Sequence, residues 1–199
     1  MIDVVIATGN PHKFRELTQL LRIAGIRWHS LAEFPSIPSV SENKPTFDAN
    51  AIKKALTLAR ATGFYALADD SGIEVTALNG APGVRSARFA GSHGDAAANN
   101  KKLLRLMRLV PSRLRGARYR CSLVLASPSR VGAITRGIWH GKIVFSPKGS
   151  GGFGYDPLFI VPKLGKTVAQ LPQSIKRKLS HRAIAARRMA PVLKQLARH

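Results

Sequence analysis

The pattern that most restricts the fold lies at the amino terminus. An apolar run from Val4 to Ala7 ends in Thr8-Gly9-Asn10, and an amphipathic pattern starts directly afterwards. This order is typical of a buried strand, a polar turn and the first turn of a helix. Unpaired backbone N–H groups and the positive end of the helix dipole meet at such a turn, and Lys13 can add a full charge. The turn therefore predicts a phosphate cradle, although it is not a Walker loop because no Gly-Lys-Ser/Thr follows.

The rest of the pattern predicts one mixed α/β domain. Of the 199 residues, 45% are hydrophobic, which is enough for one sizeable core. A loop rich in Pro and Ser is expected at 31–45 and a glycine-rich loop at 149–157. Helices are predicted at 11–24, from an N-cap at Thr46 to Gly63, at about 95–109 and at about 175–197. Strands are predicted at 2–7, 26–29, 65–68, 73–78, 117–126, 133–139 and 158–161.

Several classes of protein are excluded by composition. No apolar stretch approaches the roughly 18 residues that cross a bilayer, and the start of the chain lacks the charged and apolar regions of a signal peptide. A single cysteine, Cys121, excludes an internal disulfide framework and a cysteine zinc site. These features predict a soluble, cytoplasmic protein with no membrane partner.

The charge of the chain is strongly positive. It has 32 Lys and Arg against 10 Asp and Glu, a formal net charge of +22. Such a field attracts polyanions, including nucleic acid, at low salt. The basic residues are nevertheless scattered over predicted helices and turns, with no zinc knuckle, RNP-like strand or clear recognition helix. We therefore expect nucleic acid only as a non-specific electrostatic contact.

A tandem pair of acids directly follows a predicted buried strand, in Asp69-Asp70-Ser71-Gly72. Neighbouring side chains at a strand end point to opposite sides, so one carboxylate can face a ligand while the other braces the backbone. Glu42, from the preceding loop, could approach from across a cleft. Carboxylates without a nearby Cys or His pair favour Mg²⁺ over zinc, particularly with phosphate as a further ligand. The alternative interpretation is an ordinary surface turn.

A second candidate site is the glycine-rich loop, which places four glycines around two aromatic residues and Asp156. Glycines let the backbone approach a ligand, and the face of Phe153 could stack on a base. Lys176 and Ser180-His181-Arg182 offer further hydrogen-bond donors. The alternatives are a simple bend for the loop and an exposed position for the basic residues.

Taken in order, these segments resemble the inosine triphosphate pyrophosphatase family, also called the Ham1-like family. No single motif decides this resemblance, but the ordered set is specific and covers nearly the whole chain. The matching residues are Thr8-Gly9-Asn10, Lys13, Glu16, Thr46-Phe47, Asn50-Ala51, Lys54-Ala55, Ala68-Asp69-Asp70-Ser71-Gly72, Gly80-Ala81-Pro82-Gly83, Ser86-Ala87-Arg88-Phe89, Gly137, Trp139, Gly141, Ile143, Gly152-Phe153-Gly154-Tyr155-Asp156-Pro157 and Ser180-His181-Arg182.

The resemblance implies an α/β fold with an elongated mixed-sheet body, flanking helices and a central nucleotide-binding cleft. It implies a single domain over residues 1–199, with two lobes around that cleft, and a homodimer. It also implies Mg²⁺-dependent hydrolysis of non-canonical purine nucleoside triphosphates (ITP, dITP and XTP). Cleavage between the α and β phosphates would give the monophosphate and pyrophosphate and so cleanse the nucleotide pool.

Roles for individual residues follow from the same resemblance. Asp70 would accept the proton of the attacking water, Asp69 would support it, and Glu42 and Asp70 would bind Mg²⁺. The triphosphate would lie on the turn from Thr8 to Lys13, Phe153 would stack on the base, and residues near the carboxyl terminus would read the base edge. The substrate-binding residues would be Thr8, Gly9, Asn10, Pro11, His12, Lys13, Ser71, Phe153, Gly154, Tyr155, Asp156, Lys176, His181 and Arg182.

Three departures from the family pattern leave other functions open. Ala49 stands where the family usually has Glu, Lys44 where it often has Gly, and acidic positions are replaced by Gln170, Ser174 and Ile175. Ala49 could weaken the metal cluster, so one alternative is a basic, nucleic-acid-associated binding protein that keeps the fold with little or no turnover. A pyrophosphatase for methylated or pyrimidine nucleotides fits the chemistry but not the glycine-loop and Ser-His-Arg motifs. None of the departures removes a residue assigned to catalysis, so we expect activity.

Overall fold

The computed structural model describes residues 1–37 and 40–198, and within them the chain forms five α-helices and seven β-strands. The helices are α1 (Pro11–Leu20), α2 (Phe47–Thr62), α3 (Ala96–Leu106), α4 (Gln173–Leu179) and α5 (His181–Leu196). The strands are β1 (Ile2–Ile6), β2 (Ile26–Ser30), β3 (Tyr65–Val75), β4 (Gly116–Ala126), β5 (Val131–Ile143), β6 (Phe159–Val161) and β7 (Lys166–Thr167). Within these residues, we find no helix with the length and apolar character of a membrane span.

The strands form one mixed sheet in the order β2-β1-β3-β4-β5-β6-β7. β1 is parallel to both β2 and β3, whereas β6 is antiparallel to β5 and β7. The predicted mixed α/β fold is therefore confirmed. The chain divides into two compact units, which are Met1–Asp70, Cys121–Gly137 and His181–His199 in the first, and Ser71–Arg120 and Ile138–Ser180 in the second.

In the first unit, alternate residues of each strand pack on opposite faces of the sheet. Val4 and Ile6 of β1 belong to a core cluster with buried residues of α1 and α5. Val5 and Ala7 belong to a second cluster with buried residues of α2. Because both faces of the sheet are covered, the central strands have continuous runs of apolar residues instead of alternating apolar and polar residues. The second unit has its own cluster, which includes Tyr119 and residues of β6.

Both helix starts predicted in the first unit are confirmed by their caps. The side chain of Asn10 accepts hydrogen bonds from the backbone N–H groups of His12 and Lys13 and so starts α1. The side chain of Thr46 accepts from Ala49 N and starts α2, which is followed by the C-cap residue Gly63 with a φ of 74°. A left-handed C-cap of this kind favours glycine because glycine has no Cβ to clash. α1 ends at Leu20, four residues before the predicted end.

The prediction of two strands separated by a turn at Asp69-Asp70-Ser71-Gly72 was wrong. β3 continues from Tyr65 to Val75, and both acids lie inside it. The tandem acids and Ser-Gly have the composition of a turn, but buried cations compensate the acids within the sheet. Gly72 serves close packing instead of a turn, because a Cβ there would lie 2.4 Å from Ser86 Oγ.

The single helix predicted at about 175–197 was also wrong, since α4 and α5 are separate. Ser180 between them is extended, with φ −65° and ψ 155°, and its N–H bonds to Lys176 O at 3.0 Å. Serine is among the residues that most often precede a helix, so the break has a local signal.

The loop predicted at 31–45 includes a short 3₁₀ turn at Leu31–Glu33, and its residues 38–39 lie outside the described part of the chain.

Candidate functional site

The alternation of β3 places its two acids on opposite faces of the sheet. Leu67, two residues before Asp69, packs in the cluster with α1 and α5, and Ala68, two residues before Asp70, packs in the cluster with α2. Both carboxylates are buried, with 0% and 3% of their residue surface exposed. Each acid therefore needs compensation from a different set of side chains.

Asp69 is held by three donors. Lys13 Nζ donates to its Oδ1 at 2.7 Å, and Arg182 Nε and Cys121 Sγ donate to its Oδ2 at 2.8 and 3.3 Å. Burial alone would raise the pKa of Asp69, but Arg182 and Lys13 outweigh it and hold the pKa well below its usual value. Asp69 is therefore a permanent anion, suited to fixing cations and unsuited to accepting a proton.

Arg182 also connects Asp69 to α1. Its Nη1 donates to Glu16 Oε2 at 2.7 Å, and only 1% of the residue is exposed. Buried ion pairs are stable only when their geometry is good and their hydrogen bonds are largely satisfied. The network of Glu16, Arg182, Asp69 and Lys13 meets this condition except at Glu16 Oε1, which is buried and has no hydrogen-bond partner among the described residues.

Asp70 faces a different group of polar side chains. Lys54 Nζ donates to Glu42 Oε1 at 2.5 Å and to the backbone oxygen of Asp69 at 2.6 Å, and it lies 3.8 Å from Asp70 Oδ1. Asp70 Oδ2 is buried and has no hydrogen-bond partner among the described residues. Burial, reinforced by the charge of Glu42, raises the pKa of Asp70 to about 6 against the opposing effects of Lys54, Lys13 and a hydrogen bond from Asn50.

These oxygens fit a hard divalent cation. A buried carboxylate oxygen without a donor, next to a second carboxylate, is relieved by a positive charge. Among the described residues, no group of three or more His, Cys, Asp or Glu side chains could hold a metal ion alone. Mg²⁺ commonly uses one or two carboxylates and completes its shell with water and substrate phosphate. Glu42 and Asp70 match that kind of site.

The turn before α1 differs in one respect from the predicted phosphate cradle. The backbone N–H groups of His12 and Lys13 are not unpaired, because both donate to Asn10 Oδ1, at 2.8 and 3.3 Å. Asn10 N in turn donates to Thr8 Oγ1 at 3.1 Å. Sequence reasoning counted the free N–H groups of a helix start but not the cap that satisfies them. That this turn and the ammonium of Lys13 bind phosphate stays a prediction.

In the second unit, Asp156 organises the glycine-rich loop. Its Oδ1 accepts from Tyr119 Oη at 3.0 Å, and its Oδ2 accepts from Phe153 N at 3.0 Å and Lys176 Nζ at 2.8 Å. Lys176 Nζ lies 4.5 Å from the centroid of the Phe153 ring. A Cβ at Gly152 would lie 2.1 Å from Asp156 Oδ2, so glycine is required there. Phe153, Asp156 and Lys176 are thus brought together.

Two further contacts hold the same loop. Asn100 of α3 donates to Gly154 O at 3.0 Å, and Tyr155 Oη donates to Ser86 O at 2.9 Å. Sequence reasoning gave no role to Asn100, because a single Asn within a helix has no motif of its own. The hydroxyl of Tyr155 therefore holds the loop against the backbone at Ser86, within the second unit.

Ser71, His181 and Arg182 complete the set of predicted site residues. Ser71 is half-buried in β3, and His181 is buried in the first turn of α5. A Cβ on Gly137 would lie 1.9 Å from His181 O, which explains the glycine at this close approach of β5 to α5. The hydrogen bonds described for Arg182 are to Asp69 and Glu16. That His181 and Arg182 read the base edge therefore stays a prediction.

Sequence reasoning missed the roles of Lys54 and Cys121. Lys54 was part of the family resemblance but received no function, and its position one turn after Asn50 in α2 was the available signal. Cys121 is buried. Its contact with Asp69 depends on the pairing of strands far apart in sequence, which no local pattern reveals.

Comparison with known proteins agrees with the ordered motifs. The profile of the Ham1 family matches residues 4–192. The chain is 48% identical over 198 residues to the dITP/XTP pyrophosphatase of Desulforamulus reducens, covering 100% of this chain and 98% of that protein. It is 46% identical over 197 residues to the dITP/XTP pyrophosphatase of Rhodopirellula baltica, covering 98% of this chain and 95% of that protein.

Solved structures show the same likeness. The HAM1 protein from Coxiella burnetii superposes with a TM-score of 0.90 at 38% identity, covering 98% of this chain and 100% of that one. The Staphylococcus aureus Ham1 protein gives 0.87 at 36% identity, covering 98% and 99%. The chain therefore belongs to the Ham1 family.

Proposed function

We propose that this protein hydrolyses the non-canonical purine nucleotides ITP, dITP and XTP to the monophosphate and pyrophosphate, with Mg²⁺. The relatives named dITP/XTP pyrophosphatase support the substrate class. The observation that carries the chemistry is the contrast between two adjacent carboxylates. Asp69 is kept ionised by Arg182 and Lys13, whereas the pKa of Asp70 is raised to about 6 and one of its oxygens has no donor.

The proton acceptor in this proposal is Asp70. Without metal, burial raises the pKa of Asp70 to about 6, and its buried Oδ2 has no donor among the described residues, so this oxygen can take a proton. Water attacks the α phosphorus, the new P–O bond forms, and the bond from that phosphorus to the bridging oxygen breaks. The proton of the water passes to Asp70 Oδ2, and pyrophosphate leaves.

Charge neutralisation comes from side chains that the fold fixes in advance. Phosphoryl transfer depends chiefly on positioning and electrostatic stabilisation. Asp69 holds the ammonium of Lys13 at 2.7 Å, so little reorganisation is needed when phosphate arrives. Glu42 and Asp70 would hold Mg²⁺, which supplies further positive charge to the phosphate oxygens when bound. Lys54 keeps these two carboxylates together.

Discrimination between bases would rest on the ammonium of Lys176. It is buried, it has three donors and no acceptor, and Asp156 engages one of the donors. A keto oxygen at position 6 of a purine matches such a donor, whereas an amino group leaves a buried mismatch of about 1–3 kcal/mol. Guanine also has a 6-keto group, so this contact separates keto from amino purines only. Phe153 would stack on the ring.

Three further features belong to the proposal. The family resemblance supports a homodimer, and pool cleansing supports a cytoplasmic location. The net charge of +22 supports non-specific, salt-sensitive contact with nucleic acid. The same charge, with Ala49 in α2, supports the second candidate, a basic nucleic-acid-associated protein with little or no turnover.

The identity of the products separates the two candidates. ITP is incubated with the protein in Mg²⁺ and in EDTA, and the nucleotide and phosphate products are resolved by chromatography. We expect IMP and pyrophosphate in equal amounts with Mg²⁺ and neither with EDTA. Inosine diphosphate with orthophosphate would contradict cleavage between the α and β phosphates. No product, together with strongly salt-dependent binding of nucleic acid, would favour the second candidate.

A further inference from the structure

Tyr119 of β4 contacts Asp156, which the proposed function places at the base site. Along β4, Ala117 and Tyr119 are buried, while Arg118 is exposed and Arg120 half-exposed on the other face. The Tyr119 ring packs 4.5 Å from the ring of Phe159, centroid to centroid. A buried tyrosine usually finds a partner for its hydroxyl, and here that partner is Asp156.

The hydrogen bonds to Asp156 fall on its two oxygens unequally. Phe153 N and Lys176 Nζ both donate to Oδ2, whereas Tyr119 Oη donates to Oδ1. The terminal torsion of an aspartate is broad, so contacts at one oxygen leave the carboxylate plane poorly fixed. A hydrogen bond at the second oxygen fixes that plane. The direction in which Oδ2 meets Lys176 is therefore set by Tyr119.

We propose that Tyr119 is a positioning residue that determines base selectivity through Asp156. Its hydroxyl fixes the carboxylate, the carboxylate fixes the Lys176 ammonium, and the ammonium distinguishes a keto from an amino purine. This inference rests on the proposed function, because it assigns a further residue to the same base site. Tyr119 itself does not need to touch the nucleotide.

The carboxylate of Asp156 lies close to the loop backbone, in addition to the contacts that Asn100 and Tyr155 make with the loop. A Cβ at Gly152 would collide with Asp156 Oδ2, so the loop backbone already lies against the carboxylate. A small rotation of Asp156 therefore moves Phe153 N and Lys176 Nζ together. Displacement of a binding group by about 1 Å is enough to weaken a recognition contact substantially.

The substitution Tyr119→Phe tests the proposal, because it keeps the ring against Phe159 and removes only the hydroxyl. We expect kcat/KM for ITP to fall about fivefold to tenfold, mainly through a higher KM, while kcat changes less than about twofold. The ratio of kcat/KM for ITP to that for ATP should fall as well. Tyr65→Phe is the matched control, and we expect it to leave KM and the ratio unchanged.

A merely structural role for the hydroxyl gives a different result. Tyr119→Phe would then lower the melting temperature while KM and the ITP-to-ATP ratio stay at their wild-type values, and the proposal would be overturned. Asp156→Ala, which removes the acceptor of the Tyr119 hydroxyl, and the double variant complete the test. If Tyr119 acts through Asp156, adding Tyr119→Phe to Asp156→Ala should cause little further loss. Two losses that multiply would overturn the proposal.

Binding of IMP, measured by calorimetry without metal, keeps this inference separate from the proposed function. Failure of wild-type protein to release pyrophosphate from any purine triphosphate would contradict the function alone. In that case, weaker IMP binding by Tyr119→Phe than by wild-type protein would still support the positioning role. Equal IMP binding by both proteins would overturn it.

Discussion

Arg182 Nε donates to Asp69 Oδ2 at 2.8 Å, and the two residues expose only 1% and 0% of their surface. The pair joins the start of α5 to the middle of β3. Removing two charges from water is costly, so each charge depends on the other for its compensation. A buried ion pair at this position explains how an acid can lie inside a central strand.

Arg182→Met should lower the free energy of unfolding by about 3–5 kcal/mol, because it leaves Glu16 unpaired and Asp69 with Lys13 as its remaining cation. Urea denaturation of the two proteins measures the difference. Arg187→Met, at an exposed position of the same helix, is the control and should change stability by less than about 1 kcal/mol. Equal effects of the two substitutions would contradict the ion-pair account.

Asp70→Asn should abolish turnover, with a fall in kcat of about 10²–10⁴-fold, because an amide cannot accept the proton of the attacking water. Binding of ITP, measured by calorimetry, should largely survive. Asp48→Asn makes the same chemical change at a surface ion pair with Arg136 and should leave kcat within about twofold. Turnover by Asp70→Asn at the wild-type rate would refute its role as proton acceptor.

Lys176→Met should weaken selection for a 6-keto purine. Loss of the ammonium removes the donor matched to the keto oxygen, so the ratio of kcat/KM for ITP to that for ATP should fall about 10- to 100-fold. Steady-state kinetics on both substrates measures it. Lys178→Met, at an exposed position of the same helix, should leave the ratio unchanged. A retained ratio in Lys176→Met would place base recognition elsewhere.

Local sequence patterns predicted the parts of this site that depend on short-range structure. The start of α1 after Asn10, the helix that follows the cap at Thr46 and the strand before Asp69 all follow from residues within a few positions of each other. The motif order identified the family, which the comparisons confirm. The candidate residues were named from these motifs alone, and their roles stay predictions.

The sequence could not show which distant cations neutralise the two buried acids. Asp69 and Asp70 look like turn residues because the cations that allow their burial, Arg182 and Lys54, lie far along the chain or on another element. The contact between Tyr119 and Asp156 likewise joins residues separated by 37 positions. Such pairs depend on the assembled sheet, so no window of sequence contains them.

The region around His29 should make stability depend on pH. Hydrogen bonds to Asp3 and Glu33, each at 2.8 Å, raise the pKa of His29 above its usual value. Because the folded pKa exceeds the unfolded one, the stabilisation is complete below about pH 6.5 and is lost as the pH rises through the folded pKa. His29→Gln should therefore lower the melting temperature more at about pH 6 than at about pH 9.

Thermal melts of both proteins across this pH range test that expectation. His140→Gln, at an exposed position, is the control and should lower the melting temperature equally little at both values. A loss for His29→Gln that is the same at the two pH values would contradict the assigned ion pairs.

Pyrophosphate release from ITP, XTP, dITP, ATP and GTP, with and without Mg²⁺ at moderately alkaline pH, tests the proposed activity and its base selectivity together. We expect metal-dependent release confined largely to ITP, XTP and dITP, because the proposed function assigns to this chain a proton acceptor at Asp70, a phosphate-binding charge at Lys13 and a keto-selective donor at Lys176. Equal release from ATP would contradict the assigned base recognition. Release from none of the five nucleotides would contradict the proposed activity itself.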